Sequence, residues 1–479
     1  MTSKVLFRNC RFLITQPTPF GGILEDGALY IEGPIVKAIG PSKELEAQYG
    51  QQPDVDIVDA RNKIVMPGLV DAHNHVGEAH MFHIFGWLQT PLTGIVDTAI
   101  RVLWPAYNWF TEESVYDLTL LGILNVLKHG TTTVANAFTF PDAVYRASLE
   151  SGVRTAIHVQ MITSVKLADA RHGQAVPYLS EDDYLALTEE AIQKYHNTAD
   201  GRIRIGVHPS ATYNSTQSML ARGMALAEKY DVQFCTHVAE APDEKTRADA
   251  TWADEGGQIQ HLRNMGLLTP RTLFYHGAAL NEAEIDMMAE YGVAIAHCPP
   301  TNSILGNCAY LPYMLHKGVK VGLGTDFPTH NLFNVMLSVS QQHAIMPRPM
   351  RGLLPWTPFE LATLGSARAL RWEDQIGTLE VGKRADVVTI DLTHNTSLFP
   401  LNVGTLMLFL SVNGPGTEVT DALVDGHFLR RDGKFTFLDE AEIIGRAHYW
   451  CDKFTADYMQ AQAEGRPMFE RVHEEYQRL

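Results

Sequence analysis

The chain has 479 residues and a formal net charge of −17, from 38 Lys and Arg against 55 Asp and Glu. Hydrophobic residues make up 45% of it and charged residues 19%, which excludes an intrinsically disordered chain, a collagen-like repeat and a disulfide-built miniprotein. The acidic balance disfavours binding to nucleic acids and anionic membranes, because phosphate contacts need clustered Lys and Arg. Five scattered cysteines, no signal-peptide pattern and no long apolar run predict a cytoplasmic protein with reduced thiols.

Both ends of the chain are rich in short apolar runs separated by turns. Near the start, the pattern predicts one strand in VLFRNCRFLIT, a hairpin of two strands in ALYIEGPIVKAIG and a similar pair in VDIVDARNKIVMPG. Residues 1–66 are too few to bury both faces of such a layer. We therefore predict that residues 376–438, which contain GTLEVGKRADVVTIDL and VTDALVDGHFLRRDGKF, complete a small β-sandwich with them. Residues 439–479 read as a polar helical segment.

Residues 67–375 alternate short apolar runs with longer amphipathic stretches. The runs predict buried strands, as in TTTVANAF, RTAIHVQMI and VQFCTHVAE, and the stretches between them predict helices that end at Gly, Asn or Lys-Gly. Repeated strand–helix units imply a parallel sheet, and eight such units close into a (β/α)8 TIM barrel. A doubly wound open sheet is the alternative, which the lack of GxGxxG after the first strand disfavours.

The run VMPGLVDAHNHV ends in two histidines, His73 and His75. Side chains two positions apart on a strand face the same side, so both imidazoles should point into the barrel at its C-terminal mouth, where TIM-barrel active sites lie. An isolated pair of this kind is more often a plain polar strand end than a metal site. Three later strand ends, however, carry His237, His276 and Asp326. We therefore predict that these side chains meet at one rim.

Three imidazoles and one carboxylate leave one position of a divalent ion open for water, as catalytic zinc sites do. The candidate metal ligands are His73, His75, His237 and Asp326. Such an ion lowers the pKa of its water toward ~7. Other side chains suit proton transfer: Glu240 can carry a proton to a leaving group, and His276 can hydrogen-bond the attacking oxygen. Asp326 can serve as both ligand and base.

Longer motifs around these residues resemble one family. Taken together, PGLVDAHNH, TEESVYDLTLLGILNVLKHGTTTVAN, HVAE, HCPPTN, GTD and GTLEVGKRADVVTIDL are similar to the amidohydrolase superfamily, in particular its branch of cytosine deaminases, guanine deaminases and s-triazine hydrolases. The resemblance implies a single metal ion, usually zinc and sometimes iron, held by the four candidate ligands. It also implies proton transfer and water orientation by Glu240 and His276, and a homodimer or larger assembly.

Two features bear on the metal count. Binuclear relatives bridge two ions with a carboxylated lysine on a middle strand, and Lys166 lies near such a region, but the order of motifs does not match. The HxxE pattern of residues 237–240 favours the mononuclear branch.

The chain departs from the resemblance on the substrate side. Ser210 stands in HPSATYN where a histidine is expected, and FPTHNLFN follows Asp326 in place of a serine-rich turn. The candidate substrate contacts are Trp87, His208, Asn302 and His330. An aromatic stretch after the histidine pair suits either an apolar wall for a flat substrate or plain helix and dimer packing. Its members are Phe82, Phe85, Trp87, Trp104, Tyr107, Trp109 and Phe110, interspersed with Glu78, His80 and His83.

These observations predict a metal-dependent hydrolase of C–N bonds other than peptide bonds. The leading hypothesis is an aminohydrolase that displaces ammonia, an amine or another leaving group from a nitrogen heterocycle. The alternative is an amidase or urea hydrolase that cleaves an acyclic C–N bond, such as that of an N-aryl urea, carbamate or amide. A non-enzymatic barrel is disfavoured because no candidate ligand is missing.

Overall fold

The structure is a computed structural model, and it describes most of the chain. The described residues are 3–18, 21–78, 80, 94–98, 107, 109–162, 168–169, 174–175, 179–345, 348–350, 352–394, 401–414, 416 and 418–464. No helix within these ranges is long and apolar enough to cross a membrane.

The strands are numbered in chain order. They are β1 (Lys4–Cys10), β2 (Phe12–Ile14), β3 (Ile23–Leu24), β4 (Gly27–Glu32), β5 (Ile35–Pro41), β6 (Val55–Asp59), β7 (Lys63–Pro67), β8 (Leu69–Asn74), β9 (Thr131–Phe138), β10 (Arg154–Met161), β11 (Ala168–Asp169), β12 (Gln174–Ala175), β13 (Ile203–Pro209), β14 (Phe234–Val238), β15 (Thr272–His276), β16 (Ala294–His297), β17 (Lys320–Leu323), β18 (Val387–Asp391), β19 (Val419–Val424), β20 (His427–Arg431) and β21 (Lys434–Phe435).

The helices are numbered in the same way. They are α1 (Ser42–Tyr49), α2 (Ile95–Thr98), α3 (Glu112–Lys128), α4 (Pro141–Ser151), α5 (Glu181–Tyr195), α6 (Thr198–Gly201), α7 (Gln217–Tyr230), α8 (Pro242–Thr251), α9 (Gln258–Asn264), α10 (Glu282–Tyr291), α11 (Pro299–Ile304), α12 (Leu311–His316), α13 (Leu332–Ile345), α14 (Thr357–Glu360), α15 (Ser366–Ala369), α16 (Val403–Leu408) and α17 (Glu440–Ala463). Wider π-type turns cover Leu361–Gly365 and Phe409–Asn413, and a short 3-10 turn covers Ala253–Glu255.

Eight strands form the central sheet in the order β8, β9, β10, β13, β14, β15, β16, β17, and all of their pairings are parallel. The sheet closes where Asn74 bridges Asp326 and the N–H of Asp326 donates to the carbonyl of His73, at 3.0 Å. The predicted (β/α)8 barrel is therefore confirmed. Its closure brings the first strand of the barrel next to the segment that follows the last.

Alternation along the strands separates two apolar layers. Mostly small side chains fill the barrel interior, among them Val70, Ala72, Ala135, Ala137, Cys235, Ala294 and Ala296. Larger aliphatic side chains on the alternate positions, such as Ile157, Val207 and Ile295, pack against the helices. Residues that continue the inward phase past a strand end reach the open mouth of the barrel.

The two chain ends share one sheet, as predicted. A seven-stranded sheet has the order β21, β20, β19, β18, β7, β2, β3, in which β7 near the start pairs antiparallel with β18 near the end. A second sheet has the order β5, β4, β1, β6. Between the two lies a cluster of buried side chains that includes Phe7, Leu29, Val65 and Leu423.

Three details of this β region differ from the prediction. VLFRNCRFLIT is not one strand: after a bulge at Asn9, whose φ is 54°, and a break at Arg11, β1 and β2 enter different sheets. Likewise β6 and β7 are not a hairpin, because they also belong to different sheets. Both segments contain apolar runs on either side of a few polar residues, and this pattern could not reveal a crossing between layers. The third difference is α1, which places Leu45 against the four-stranded sheet.

Candidate active site

Four side chains at the barrel mouth converge as the sequence predicts. The Nε2 atoms of His73 and His75 lie 3.5 and 3.4 Å from Oδ1 of Asp326. The ring centroid of His237 lies 5.0 Å from that of His73. Two overlapping groups have ligand atoms within 4.8 Å of one another: His73, His75 and His237 in one, and His73, His276 and Asp326 in the other. All five side chains are buried, so they surround one small volume.

Asp71 and Asn74 tie the first strand of the barrel to the segment after the last. Asn74 turns away from its two histidine neighbours, and its Nδ2 donates to Asp71 at 2.9 Å and to Thr325 at 2.7 Å. Asp71 also accepts from the backbone N–H groups of His73 and Thr325, at 3.2 and 3.1 Å. This network holds His73 and Asp326 in register across the closure of the barrel.

The imidazoles of the site are held mainly in the neutral form, which is the form that binds metals. Burial lowers the pKa of His73 well below its usual value and, with the charge of His75, lowers that of His237 to about 4. His75 is the exception: burial lowers its pKa, but Glu78, 3.3 Å from its Nδ1, outweighs burial and raises it.

Neighbouring groups also decide which ring nitrogen carries the proton. Nδ1 of His237 hydrogen-bonds the carbonyl of Ser210, which can only accept, so Nδ1 carries the proton and Nε2 is left with a lone pair. Nδ1 of His276 lies 3.3 Å from the Nδ2 donor of Asn302, so the proton of His276 lies on Nε2. One imidazole thus presents a ligand atom and the other presents a donor.

Glu240 stands on the loop after β14 with its carboxylate next to His276. The distance from Glu240 Oε1 to His276 Nε2 is 3.6 Å, and His276 Nε2 is 4.0 Å from Asp326 Oδ2. Burial, with the charges of Asp326 and Glu244, raises the pKa of Glu240 well above its usual value. The backbone around the site is unusual at three separate strand ends, because Ala239, His276 and Asp326 all adopt positive φ, at 48°, 73° and 55°.

Side chains outside the cluster hold the backbone of Glu240 on both sides of its Cα atom. Its N–H donates to the carboxylate of Glu244 at 3.1 Å, and its carbonyl accepts from Asn302 Nδ2 at 3.2 Å. Asn302 had been predicted as a substrate contact. In the structure its Nδ2 connects the Glu240 carbonyl with His276 Nδ1, and its contact with substrate stays a prediction.

The other candidate substrate contacts have different surroundings. Nε2 of the buried His208 lies 3.3 Å from the Ser210 carbonyl and 3.4 Å from His237 Nδ1, on the opposite side of His237 from its free nitrogen. Nδ1 of His330 lies 3.4 Å from Asn74, and its ring lies 5.3 Å from that of His80.

Several predictions fall outside the described residues. They concern the substrate contact Trp87, the neighbouring residues Phe82, His83, Phe85 and Trp104, and the lysine Lys166. Of the aromatic stretch, Tyr107 and Phe110 pack on Phe138, and Trp109 packs on Phe454 of α17.

Two tyrosines contribute to the site: Tyr275, which had not been predicted, and Tyr107, which had been predicted only as part of the aromatic stretch. The ring of Tyr275 stacks on His73 at 3.8 Å, and its hydroxyl lies 2.6 Å from His158 Nδ1. The hydroxyl of Tyr107 donates to Glu78, the carboxylate beside His75. The inward phase of β15 would have indicated Tyr275, whereas nothing in the sequence links Tyr107 to Glu78.

The chain is similar to a known family and to several known proteins. Residues 64–428 match the amidohydrolase family. A 5-methylthioadenosine/S-adenosylhomocysteine deaminase from Nitratidesulfovibrio vulgaris is 30% identical over 432 residues, which cover 88% of this chain and 92% of the relative. A zinc-bound adenosine deaminase from Xanthomonas campestris has a TM-score of 0.83 at 24% identity and covers 95% of this chain and 99% of its own. The zinc complex of an atrazine chlorohydrolase from Arthrobacter aurescens has a TM-score of 0.78 at 23% identity, with coverages of 93% and 100%.

Proposed function

The chain belongs to the amidohydrolase family and is a hydrolase of C–N bonds, and we propose that it is a metal-dependent aminohydrolase that releases ammonia or an amine from a nitrogen heterocycle. The observation that carries the proposal is the convergence of three imidazoles and Asp326 beside the carboxyl of Glu240, whose pKa burial raises. The relative that is 30% identical is named a deaminase of two adenine-containing compounds, which supports an aminopurine as the first substrate class to test.

The donor set fits a divalent metal ion. Both ring nitrogens of His73 and Nε2 of His276 are buried without a hydrogen-bond partner among the described residues, and such orphaned nitrogens are costly unless a ligand satisfies them. We assign His73, His75, His237 and Asp326 as the ligands of one ion. Zinc is our assignment and iron its alternative, which elemental analysis distinguishes. When bound, the ion supplies activation of a water molecule at neutral pH.

The two oxygens of Asp326 allow it two roles. Oδ1 faces His73 and His75, whereas Oδ2 faces His276 at 4.0 Å. In our proposal, Oδ1 is the ligand atom and Oδ2 accepts a proton from the attacking water. The Nε2–H of His276 lies near this Oδ2 atom and donates to the water oxygen as that oxygen attacks the ring carbon.

Glu240 serves the leaving group. Burial raises the pKa of Glu240, which favours the protonated carboxyl, and in our proposal this carboxyl donates its proton to the departing nitrogen as the C–N bond breaks. The proton taken by Asp326 then returns to Glu240. One water is consumed, its oxygen joins the ring carbon, and ammonia or an amine leaves.

A release assay tests the proposal. Zinc-loaded protein is screened for ammonia and amine release from adenosine, 5-methylthioadenosine, guanine, cytosine, pterins and amino-triazines, with N-aryl ureas, carbamates and amides as the second group. We expect turnover of at least one heterocycle, lost on metal removal and restored by adding zinc back. Turnover confined to the acyclic group would replace the proposal with the amidase alternative.

Assembly and domain organisation complete the proposal. We propose a cytoplasmic homodimer or larger assembly, which the exposed apolar side chains of Ile345, Leu354 and Leu408 support. A mass of 53.3 kDa by light scattering at micromolar concentration would contradict it. We further propose a barrel of residues 67–375, a sandwich of residues 1–66 and 376–438, and a helical segment from 439 to 479.

A further inference from the structure

A cavity of about 260 Å³ opens at the end of the barrel opposite the candidate active site. Its walls come from the beginnings of β10 and β13, the segment before β14, the end of α5 and the segment after α15. The lining residues used below are Arg204, Arg371, His196 and Asp231. Strand beginnings lie at the N-terminal face of a TIM barrel, and none of the candidate metal ligands lines this cavity, although His158 of β10, which bonds Tyr275, does.

Arg204 brings a positive charge to the cavity without a matching carboxylate. Its guanidinium lies over the ring of Trp372 at 4.5 Å, and its Nη1 donates to the carbonyl of Arg371 at 2.8 Å. Among the described residues it has no ion pair. Burial, with the charges of Arg154 and Arg371, lowers the pKa of Arg204 to about 10, and Glu373, which does not line the cavity, only partly opposes this.

Arg371 has a carboxylate partner, but it must share it. Arg371 Nη2 and Arg271 Nη1 each lie 3.0 Å from the same oxygen, Oδ1 of Asp231. Arg271 and Arg371 therefore share a single carboxylate, whereas Arg204, which also lines the cavity, has none in the described part of the chain. Arg204, Arg271 and Arg371 thus outnumber Asp231 here, although the whole chain has a net charge of −17.

His196 adds a neutral donor to the lining. The backbone N–H of Ile205 donates to His196 Nδ1 at 3.1 Å, so Nδ1 is an acceptor and the proton of the imidazole lies on Nε2. Burial and the charge of Arg204 lower the pKa of His196, which keeps the ring neutral at physiological pH. The lining thus offers guanidinium and imidazole donors, while its one carboxylate is already engaged.

We propose that this cavity binds a small phosphate-type oxyanion through Arg204, Arg371 and His196. Guanidinium groups present paired N–H donors that match the oxygens of such an anion, and the volume admits a tetrahedral anion together with water. Bound there, the anion would neutralise the excess charge at the base of the barrel. Neither the family assignment nor the proposed reaction requires this site.

Inorganic phosphate is the probe for the first test. Calorimetric titration is carried out at constant ionic strength set with chloride, on wild type, R204Q, R371Q and the matched control R368Q, which removes a partly exposed arginine of α15 outside the cavity. We expect saturable binding to wild type and R368Q, and binding at least about 10-fold weaker in R204Q and R371Q, as for loss of a charge-assisted hydrogen bond. Unchanged binding in R204Q and R371Q, or none in wild type up to 10 times physiological phosphate, would overturn the proposal.

A second measurement avoids dependence on variants that fail to fold. Wild-type crystals soaked in tungstate, a heavy analogue of phosphate, should show anomalous density between Arg204 and His196. Anomalous density confined to the metal-ligand cluster or to the outer surface would overturn the proposal.

Discussion

The carboxylate of Glu244 accepts a hydrogen bond, 3.1 Å long, from the backbone N–H of Glu240. Glu244 is itself held by Gln258 and by the hydroxyl of Thr212, the latter at 3.3 Å. Asn302 donates to the carbonyl of Glu240, in the next peptide group along the chain. The position of Glu240 in the site is thus fixed by buried side chains that hydrogen-bond its backbone.

Replacing Glu244 should therefore impair proton transfer without removing the metal. In Glu244→Ala the N–H of Glu240 loses its acceptor and the loop relaxes, and a misplacement of this size costs up to roughly 10²-fold in kcat. We expect KM to change less than kcat and zinc content to stay at the wild-type level. Glu284→Gln, which alters another buried glutamate that pairs with Lys245, serves as the control and should leave kcat unchanged. Wild-type kcat in Glu244→Ala would refute the positioning role.

Loss of a metal ligand should lower the metal content as well as the turnover, unlike Glu244→Ala. His73→Ala or His237→Ala removes one nitrogen from the cluster, so we expect both bound metal and turnover to fall together. Elemental analysis after gel filtration measures the metal, and the ammonia assay measures turnover. His261→Ala is the control, because His261 stacks on Trp252 away from the cluster. Full metal occupancy with a wild-type rate in either ligand variant would contradict the assignment.

The barrel and the converging side chains could be predicted because both follow from strand periodicity. His73, His237 and His276 each lie in the last two residues of a strand and His75 directly follows one, so their place at the barrel mouth can be read from the strand pattern. Asp326 lies three residues beyond β17, and the closure of the barrel brings it to His73.

The contacts that hold these residues in place could not be predicted in the same way. Asp71 and Thr325 are 254 positions apart, and Asn302 and Glu240 are 62 apart. Such pairings depend on side-chain geometry at the loops, which local patterns do not encode. For the same reason the hydrogen bond from Asn302 to the backbone of Glu240 could not be predicted, and its contact with substrate stays a prediction.

A buried ion cluster connects the barrel to the seven-stranded sheet and should dominate their joint stability. Arg154 of β10 is fully buried and lies 2.8 Å from Asp386 and 2.7 Å from Asp425. Arg154→Met leaves both carboxylates without their buried cation, and we expect a loss of about 3–5 kcal/mol in the free energy of unfolding. Arg384→Gln is the matched control: this partly exposed arginine lies 3.4 Å from Asp425 and should cost ~1 kcal/mol or less. Urea unfolding compares the variants, and equal losses would contradict the assignment.

The ion pair that joins the two chain ends should make the stability of the fold depend on pH in the acid range. Lys63 of β7 lies 2.7 Å from Asp421 of β19. Burial raises the pKa of Asp421, but hydrogen bonds from Lys63, Thr389 and the N–H of Asp432 outweigh it, so the net shift is downward. A carboxyl whose folded pKa is lowered stabilises the fold above its unfolded pKa, near ~3.9, and loses that contribution as pH falls through the folded value. We expect the melting temperature of wild type to fall more steeply below about pH 4 than that of Asp421→Asn. Parallel curves for the two proteins would rule out this contribution.

Glu240→Gln separates proton transfer from metal binding. Glutamine keeps the shape of the side chain but cannot shuttle a proton, and Glu240 is not among the groups of converging ligand atoms. We therefore expect zinc content near wild type while kcat on an amine-releasing substrate falls by about 10²–10⁴-fold. The loss should shrink for an analogue that releases halide, because halide departs without a proton whereas an amide anion is a very poor leaving group. An unchanged kcat on the amine substrate would remove Glu240 from the mechanism, and loss of metal in parallel with activity would make it a ligand instead.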